Sequence, residues 1–169
     1  MKQVIIILAS IFMLASCGGG NQQSDSAQEP AKTAPVVEEP KEDVPAEVTL
    51  TIEGNDEMKY NKELLTVKAG QKVTLILKHV GKMEKAAMGH NWTLLKKGVD
   101  MQEFAVEAIG ANDNNYIPKG TNKVIAHTTM IGGGEETSIT FEAPAKGEYQ
   151  FLCTFPGHYA MMNGKFIVE

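Results

Sequence analysis

The chain has 169 residues, 43% of them hydrophobic, and a formal net charge of −5. That is room for one ordinary domain with flanking segments rather than for several domains. Residues 48–169 contain no arginine and are close to neutral, which excludes the basic surface that nucleic-acid binding requires.

The chain opens Met1-Lys2 and then runs mostly apolar from Val4 to Ala15 before Leu14-Ala15-Ser16-Cys17. A positive start, a short apolar stretch and small residues before a cleavage point predict a secretory signal over 1–16, too short to span a bilayer. Leu-Ala-Ser-Cys resembles a bacterial lipobox, which implies cleavage before Cys17 and acylation of its thiol. Several acyl chains anchor stably where one does not. The expected location is therefore the periplasmic side of a bacterial membrane. Gly18 does not resemble an inner-membrane retention signal, and this tilts the choice toward the outer membrane.

Residues 17–47 follow as a tether. They are rich in Gly, Ser, Gln, Ala and Pro, with Pro30, Pro35, Pro40 and Pro45 evenly spaced and seven acids against Lys32 and Lys41. Such a composition buries too little apolar surface to offset its ordering entropy, so disorder is expected. A flexible segment of this length spans roughly 30 Å, and more when its charges repel.

Residues 48–169 read as one all-β domain. Val48–Glu53 alternates apolar and polar, as a half-buried strand does. Glu63–Val67 and Lys72–Lys78 flank a turn at Ala69-Gly70 and suggest a meander. Further strands fit His90–Leu95, Lys123–His127, Glu136–Phe141, Gly147–Cys153 and Gly164–Val168. Met101–Ile109 has helical spacing and ends at Gly110, predicting one short helical insert. About eight strands separated by turn signals indicate a Greek-key β-sandwich.

The chemistry is concentrated in Cys153-Thr154-Phe155-Pro156-Gly157-His158-Tyr159-Ala160-Met161-Met162. With Cys17 lipidated, Cys153 is an unpaired thiol outside the cytoplasm, a liability unless it is buried or bound. Thiolate and imidazole suit copper or zinc; a nearby thioether adds little for zinc but gives copper a soft, weak axial partner. Met88-Gly89-His90-Asn91-Trp92 can supply the second imidazole from another strand. The residues therefore predict one mononuclear copper site, with His90, Cys153, His158 and Met162 as ligands. Tyr149, Phe151 and Cys153 fall on one strand face, as do His90 and Trp92, so the core fixes two of the ligands.

Met88-Gly89-His90-Asn91-Trp92 together with Cys153-x4-His158-x3-Met162 resembles the azurins, small bacterial blue-copper proteins. Glu53–Met58, Val124–Thr128 and Ile131–Glu135 fall in the same order as in that family, and the likeness covers about 48–169. The resemblance implies a cupredoxin sandwich and single-electron transfer. It adds the Gly89 carbonyl as a weak fifth contact, with Asn91 and the Phe155 amide around the sulfur. It also implies an apolar patch around the His158 ring edge, made by Met83, Met88, Phe155, Pro156, Gly157, Ala160 and Met161. The expected partners are redox proteins such as c-type cytochromes or terminal reductases and oxidases. By the same comparison His79 lies near the site without binding metal, and His127 lies on the surface. The disulfide that azurins commonly carry near the first strand has no cysteines here. Storage or delivery of copper is the alternative function. Enzymatic activity is not expected, since four histidines cannot build this site and a second centre, and no paired acid and base is evident.

Overall fold

Alternation along the first strand decides which of its sides is inside. The computed structural model describes residues 46–169; the signal segment (1–16), Cys17 and the tether up to residue 45 lie outside the described residues. Strand β1 (Glu47–Gly54) buries Ile52 and Gly54 while Glu47 and Thr49 face solvent. It is followed by β2 (Leu64–Val67), β3 (Lys72–His79), the one-turn helix α1 (Lys85–Met88) and β4 (Thr93–Leu95). Helix α2 (Met101–Ala108) leads through a 3-10 segment, Ile109–Asn114, to β5 (Val124–His127). The chain ends with β6 (Glu136–Glu142), β7 (Gly147–Leu152) and β8 (Asn163–Val168).

The eight strands form two sheets, β1-β3-β6 and β2-β8-β7-β4-β5. β1 runs parallel to β3, with Glu47 opposite Lys72 and Gly54 opposite His79, and β6 closes that sheet antiparallel to β3. In the second sheet β2 is parallel to β8, while β7 is antiparallel to both β8 and β4. The expected meander is therefore corrected. The Ala69-Gly70 turn does not return β3 alongside β2; it carries the chain from one sheet to the other, with Gly70 at φ +75°.

Ile52, Leu75 and Leu77 from the first sheet meet Leu94, Phe151 and Phe166 from the second, and Trp92 just ahead of β4, in one core. Trp92 packs with Phe141 and Phe151 at 5.8 Å and with Phe166 at 6.1 Å, as a buried anchor. Each such side chain contributes about 1.5–3 kcal/mol on burial. Helix α2 starts at Asp100, whose carboxylate accepts the Glu103 N–H at 2.8 Å, an N-cap that satisfies an otherwise unpaired donor. Its Phe104 and Ala105 bury against Leu95 and Leu152 in a second cluster.

Two strand limits at the site move, and for local reasons. The strand expected from His90 starts only at Thr93, because His90 makes a lone bridge to Ile131. The strand expected to reach Cys153 stops at Leu152, where the chain turns into the ligand loop. Helix α1 was not expected, since four residues are too few to show a period.

Candidate metal centre

Cys153 follows β7 directly, on the inner side with Tyr149 and Phe151, and is fully buried. Its N–H donates to the Met162 carbonyl at 2.9 Å, extending the β7–β8 ladder by one rung. Residues 153–162 are thus a hairpin loop clamped at both ends. Inside it, Gly157 at φ +84° makes a turn that a side chain would strain. A single 3-10 turn, His158–Ala160, then directs the Met162 N–H to the His158 carbonyl at 2.8 Å. Cys153, His158 and Met162 are placed by one supersecondary unit.

The second part of the site comes from the chain after α1. His90 exchanges backbone hydrogen bonds with Ile131, both at 2.9 Å. Gly89 permits this crossing, since a Cβ there would lie 2.6 Å from the Lys85 carbonyl and 3.0 Å from the Met130 side chain. The His90 Nε2 lies 2.9 Å from the Asn55 carbonyl. A carbonyl only accepts, so Nε2 carries the proton and Nδ1 keeps a lone pair. That Nδ1 is buried without any hydrogen-bond partner.

His90, Cys153 and His158 bring one ligand atom each to within 4.8 Å of one another, and all three are buried. The Cys153 Sγ is 3.7 Å from His158 Nδ1 and 3.9 Å from the Gly89 carbonyl. Met162 is fully buried, and its methyl closes on Gly54 together with the His90 ring. The fit to copper rests on the lone pair of His90 Nδ1, which nothing in the protein satisfies, beside a thiol, a second imidazole and a thioether. Buried polar atoms are ordinarily paired, and this soft donor set suits copper.

The electrostatics point the same way. Burial pushes the Cys153 thiol up to about 11, against the backbone N–H groups of Asn91 and Phe155, which favour the thiolate. Burial, with the neighbouring His90 and His79 rings, pulls His158 down to about 4. His90 is also lowered, again chiefly by burial. The pocket disfavours both a bare thiolate and a protonated ring, so a bound cation meets neutral imidazoles and offsets the buried thiolate.

The other histidines have different roles. The His79 Nε2–H donates to the Met88 carbonyl at 2.8 Å and its Nδ1 accepts the Gly81 N–H at 3.1 Å, which leaves no lone pair for a metal. Its ring stacks on His90, with centroids 4.2 Å apart. His127 is half-buried at the end of β5. Of the residues expected to form an apolar patch with His158, which is itself 3% exposed, Met83 is 41% and Met161 51% exposed. Gly157 and Ala160 are exposed, and Met88, Phe155 and Pro156 are half-buried.

Sequence reasoning gave no role to several residues that hold the site. Asn55 fixes the His90 tautomer, and the Tyr60 hydroxyl donates to the Asn91 carbonyl. Asn91, expected near the sulfur, accepts the Thr154 N–H at 2.8 Å through its side chain, and Thr154 had been given no part. The one available signal was Gly54-Asn55 at the end of an alternating strand.

A two-sheet sandwich of eight strands whose β7–β8 loop brings a buried thiol and one imidazole to a second imidazole, His90, defines a cupredoxin, a copper protein. Residues 46–169 match the family of copper binding proteins described as the plastocyanin/azurin family. The chain belongs to that family. It is 48% identical over 124 residues to the azurin of Achromobacter denitrificans, covering 70% of this chain and 83% of that protein. It is also 48% identical over 119 residues to the outer membrane protein H.8 of Neisseria meningitidis serogroup B; 68% of this chain is covered but only 64% of that longer protein. Among solved structures, auracyanin A, a "blue" copper protein of Chloroflexus aurantiacus, superposes with a TM-score of 0.67 at 36% identity. That match covers 73% of this chain and 99% of auracyanin A.

Proposed function

We propose that the domain is a blue-copper carrier of single electrons, with copper held by His90, Cys153 and His158 and contacted weakly by Met162 and the Gly89 carbonyl. The single observation that carries this reading is the buried, unpartnered Nδ1 of His90 beside the Cys153 sulfur. Copper bound there supplies a one-electron couple. The protein supplies rigidity. The β7–β8 ladder clamps Cys153 and Met162, the Asn55 carbonyl holds the His90 ring, and the Asn91 and Phe155 amides face the sulfur. Ligands that stay in place when the charge changes keep the reorganisation barrier low, and hydrogen bonds at the sulfur tune the potential.

Storage or delivery calls for exposed, exchangeable ligands, and the three here are buried. The apolar surface around His158 suits a small, transient interface with a redox protein, with c-type cytochromes or terminal reductases and oxidases as the class. The signal expected over 1–16, acylation of Cys17 and a 17–47 tether ahead of the 48–169 domain support a location on the periplasmic side of a bacterial membrane. The name of the H.8 relative favours the outer membrane. The test is the visible absorption and spin-resonance spectrum of the copper-loaded domain. An intense visible band that disappears in Cys153→Ser is expected; a colourless copper-loaded protein, or a band that survives the substitution, overturns the reading.

A further inference from the structure

Asn115 and Tyr116 are consecutive non-glycine residues with φ of +55° and +57°. This region is uncommon for a residue with a side chain, though Asn tolerates it better than most. Two in succession are costly unless the surroundings hold them. The turn is held: the Tyr116 N–H donates to the Ala111 carbonyl at 2.9 Å and the Ile117 N–H to Asn114 at 3.0 Å. The strained conformation has two results. It aims the Asn115 carbonyl at the Asn91 side-chain amide, 2.9 Å away, while Asn115 Oδ1 accepts the Met130 N–H at 2.9 Å. It also sets the Tyr116 ring edge-on to Phe155, at 5.5 Å between centroids.

Both contacts lead to the copper site by a single further step. The Asn91 Nδ2 that meets Asn115 also donates to Thr154 Oγ1 at 2.7 Å, and Asn91 Oδ1 accepts the Thr154 N–H. Thr154 is the neighbour of Cys153. Phe155 in turn packs on the His158 ring at 4.6 Å. Met130, tied to Asn115, is the side chain against which Gly89 sits.

We infer that the Asn115–Tyr116 turn is a brace for the ligand loop, with Asn115 positioning Cys153 through Asn91 and Thr154, and Tyr116 positioning His158 through Phe155. The inference builds on the copper reading, and its test separates the two. In the metal-free protein, amide hydrogen exchange should show the Thr154 and Met130 N–H groups opening together, because both are held through Asn115. Asn115→Gly keeps the backbone angle but loses the Oδ1 acceptor. It should speed Met130 exchange on the order of fivefold, the scale of the one hydrogen bond lost, carry Thr154 exchange up with it through the loosened turn, and shift the visible band and reduction potential of the copper form. Tyr116→Ala should shift the same spectrum and potential. Asn115→Asp, which keeps an acceptor, and Tyr116→Phe, which keeps the ring, should restore parental values. Independent opening of the two amides in the parent protein overturns the brace whether or not any variant folds. So does a parental spectrum, potential and Thr154 exchange rate in Asn115→Gly and Tyr116→Ala that lose only thermal stability. A parent protein that takes up copper without colour overturns the copper reading instead and leaves the exchange result standing.

Discussion

Gly54 lies so close to the edge of the His90 imidazole that a Cβ in its place would sit 2.7 Å from Cδ2 and 3.2 Å from the Met162 methyl. The end of β1 is therefore a wall of the metal site, although it contributes no ligand. With Asn55 holding Nε2 from the next residue, Gly54 sets both the height and the rotation of the ring.

Gly54→Ala should overpack this wall. Inserting one methyl group into a close-packed interior costs about 1–3 kcal/mol, and here the strain falls on His90 and Met162. Denaturant unfolding of the metal-free variant should show that loss, and its copper form should have an altered visible spectrum. A variant with parental stability and colour would show the ring free to yield.

Copper uptake near neutral pH should release one proton. The Cys153 thiol, held at about 11, is protonated there, while His158, at about 4, is already neutral. Apparent affinity should therefore rise about tenfold per pH unit through the neutral range. Calorimetry in buffers of different ionisation enthalpy counts the protons; a count of zero would mean that the thiol is not a ligand.

The metal-free protein should weaken in acid. His158 and His90 have folded-state values below that of a free imidazole, so the unfolded chain binds more protons once the pH drops below about 6.5. Stability is fully present above that point and is lost as the pH falls toward 4, with a slope of at most about 1.4 kcal/mol per pH unit for each ring. Urea unfolding at a series of pH values measures it. Copper should flatten the curve until the metal itself dissociates, because coordinated rings cannot take up the proton.

Met161→Lys should slow electron self-exchange more than about tenfold, because it places a charge on each of two facing apolar surfaces. Met161 is half exposed, whereas its neighbour Met162, the proposed weak ligand, is covered, so the visible spectrum should not change. Line broadening in mixtures of oxidised and reduced protein gives the rate. Unchanged broadening would remove Met161 from the contact surface.

The ligand loop was legible because its information is local. Cys153, His158 and Met162 lie within ten residues and take their positions from one hairpin. Helix α2 was legible for a similar reason, through its apolar spacing and the glycine, Gly110, beyond it. The partner of β3 was not. A Gly70 turn looks the same whether the chain folds back in its own sheet or crosses to the other, and only the core formed with β1 decides between them. Asn55, Tyr60 and Asn115 were missed because each acts through a hydrogen bond to a residue at least 24 positions away. No spacing rule reports such bonds.

The parallel register of β1 on β3 has a mechanical consequence. A tug on the chain ahead of residue 46 runs along the strand axis, across hydrogen bonds that lie between the strands. The eight pairs from Glu47–Lys72 to Gly54–His79 then share the load in shear instead of parting one by one. Gly54 and Asn55, which grip the His90 ring, are at the far end of that ladder. Tension from the amino-terminal side is thus dissipated before it can disturb the imidazole.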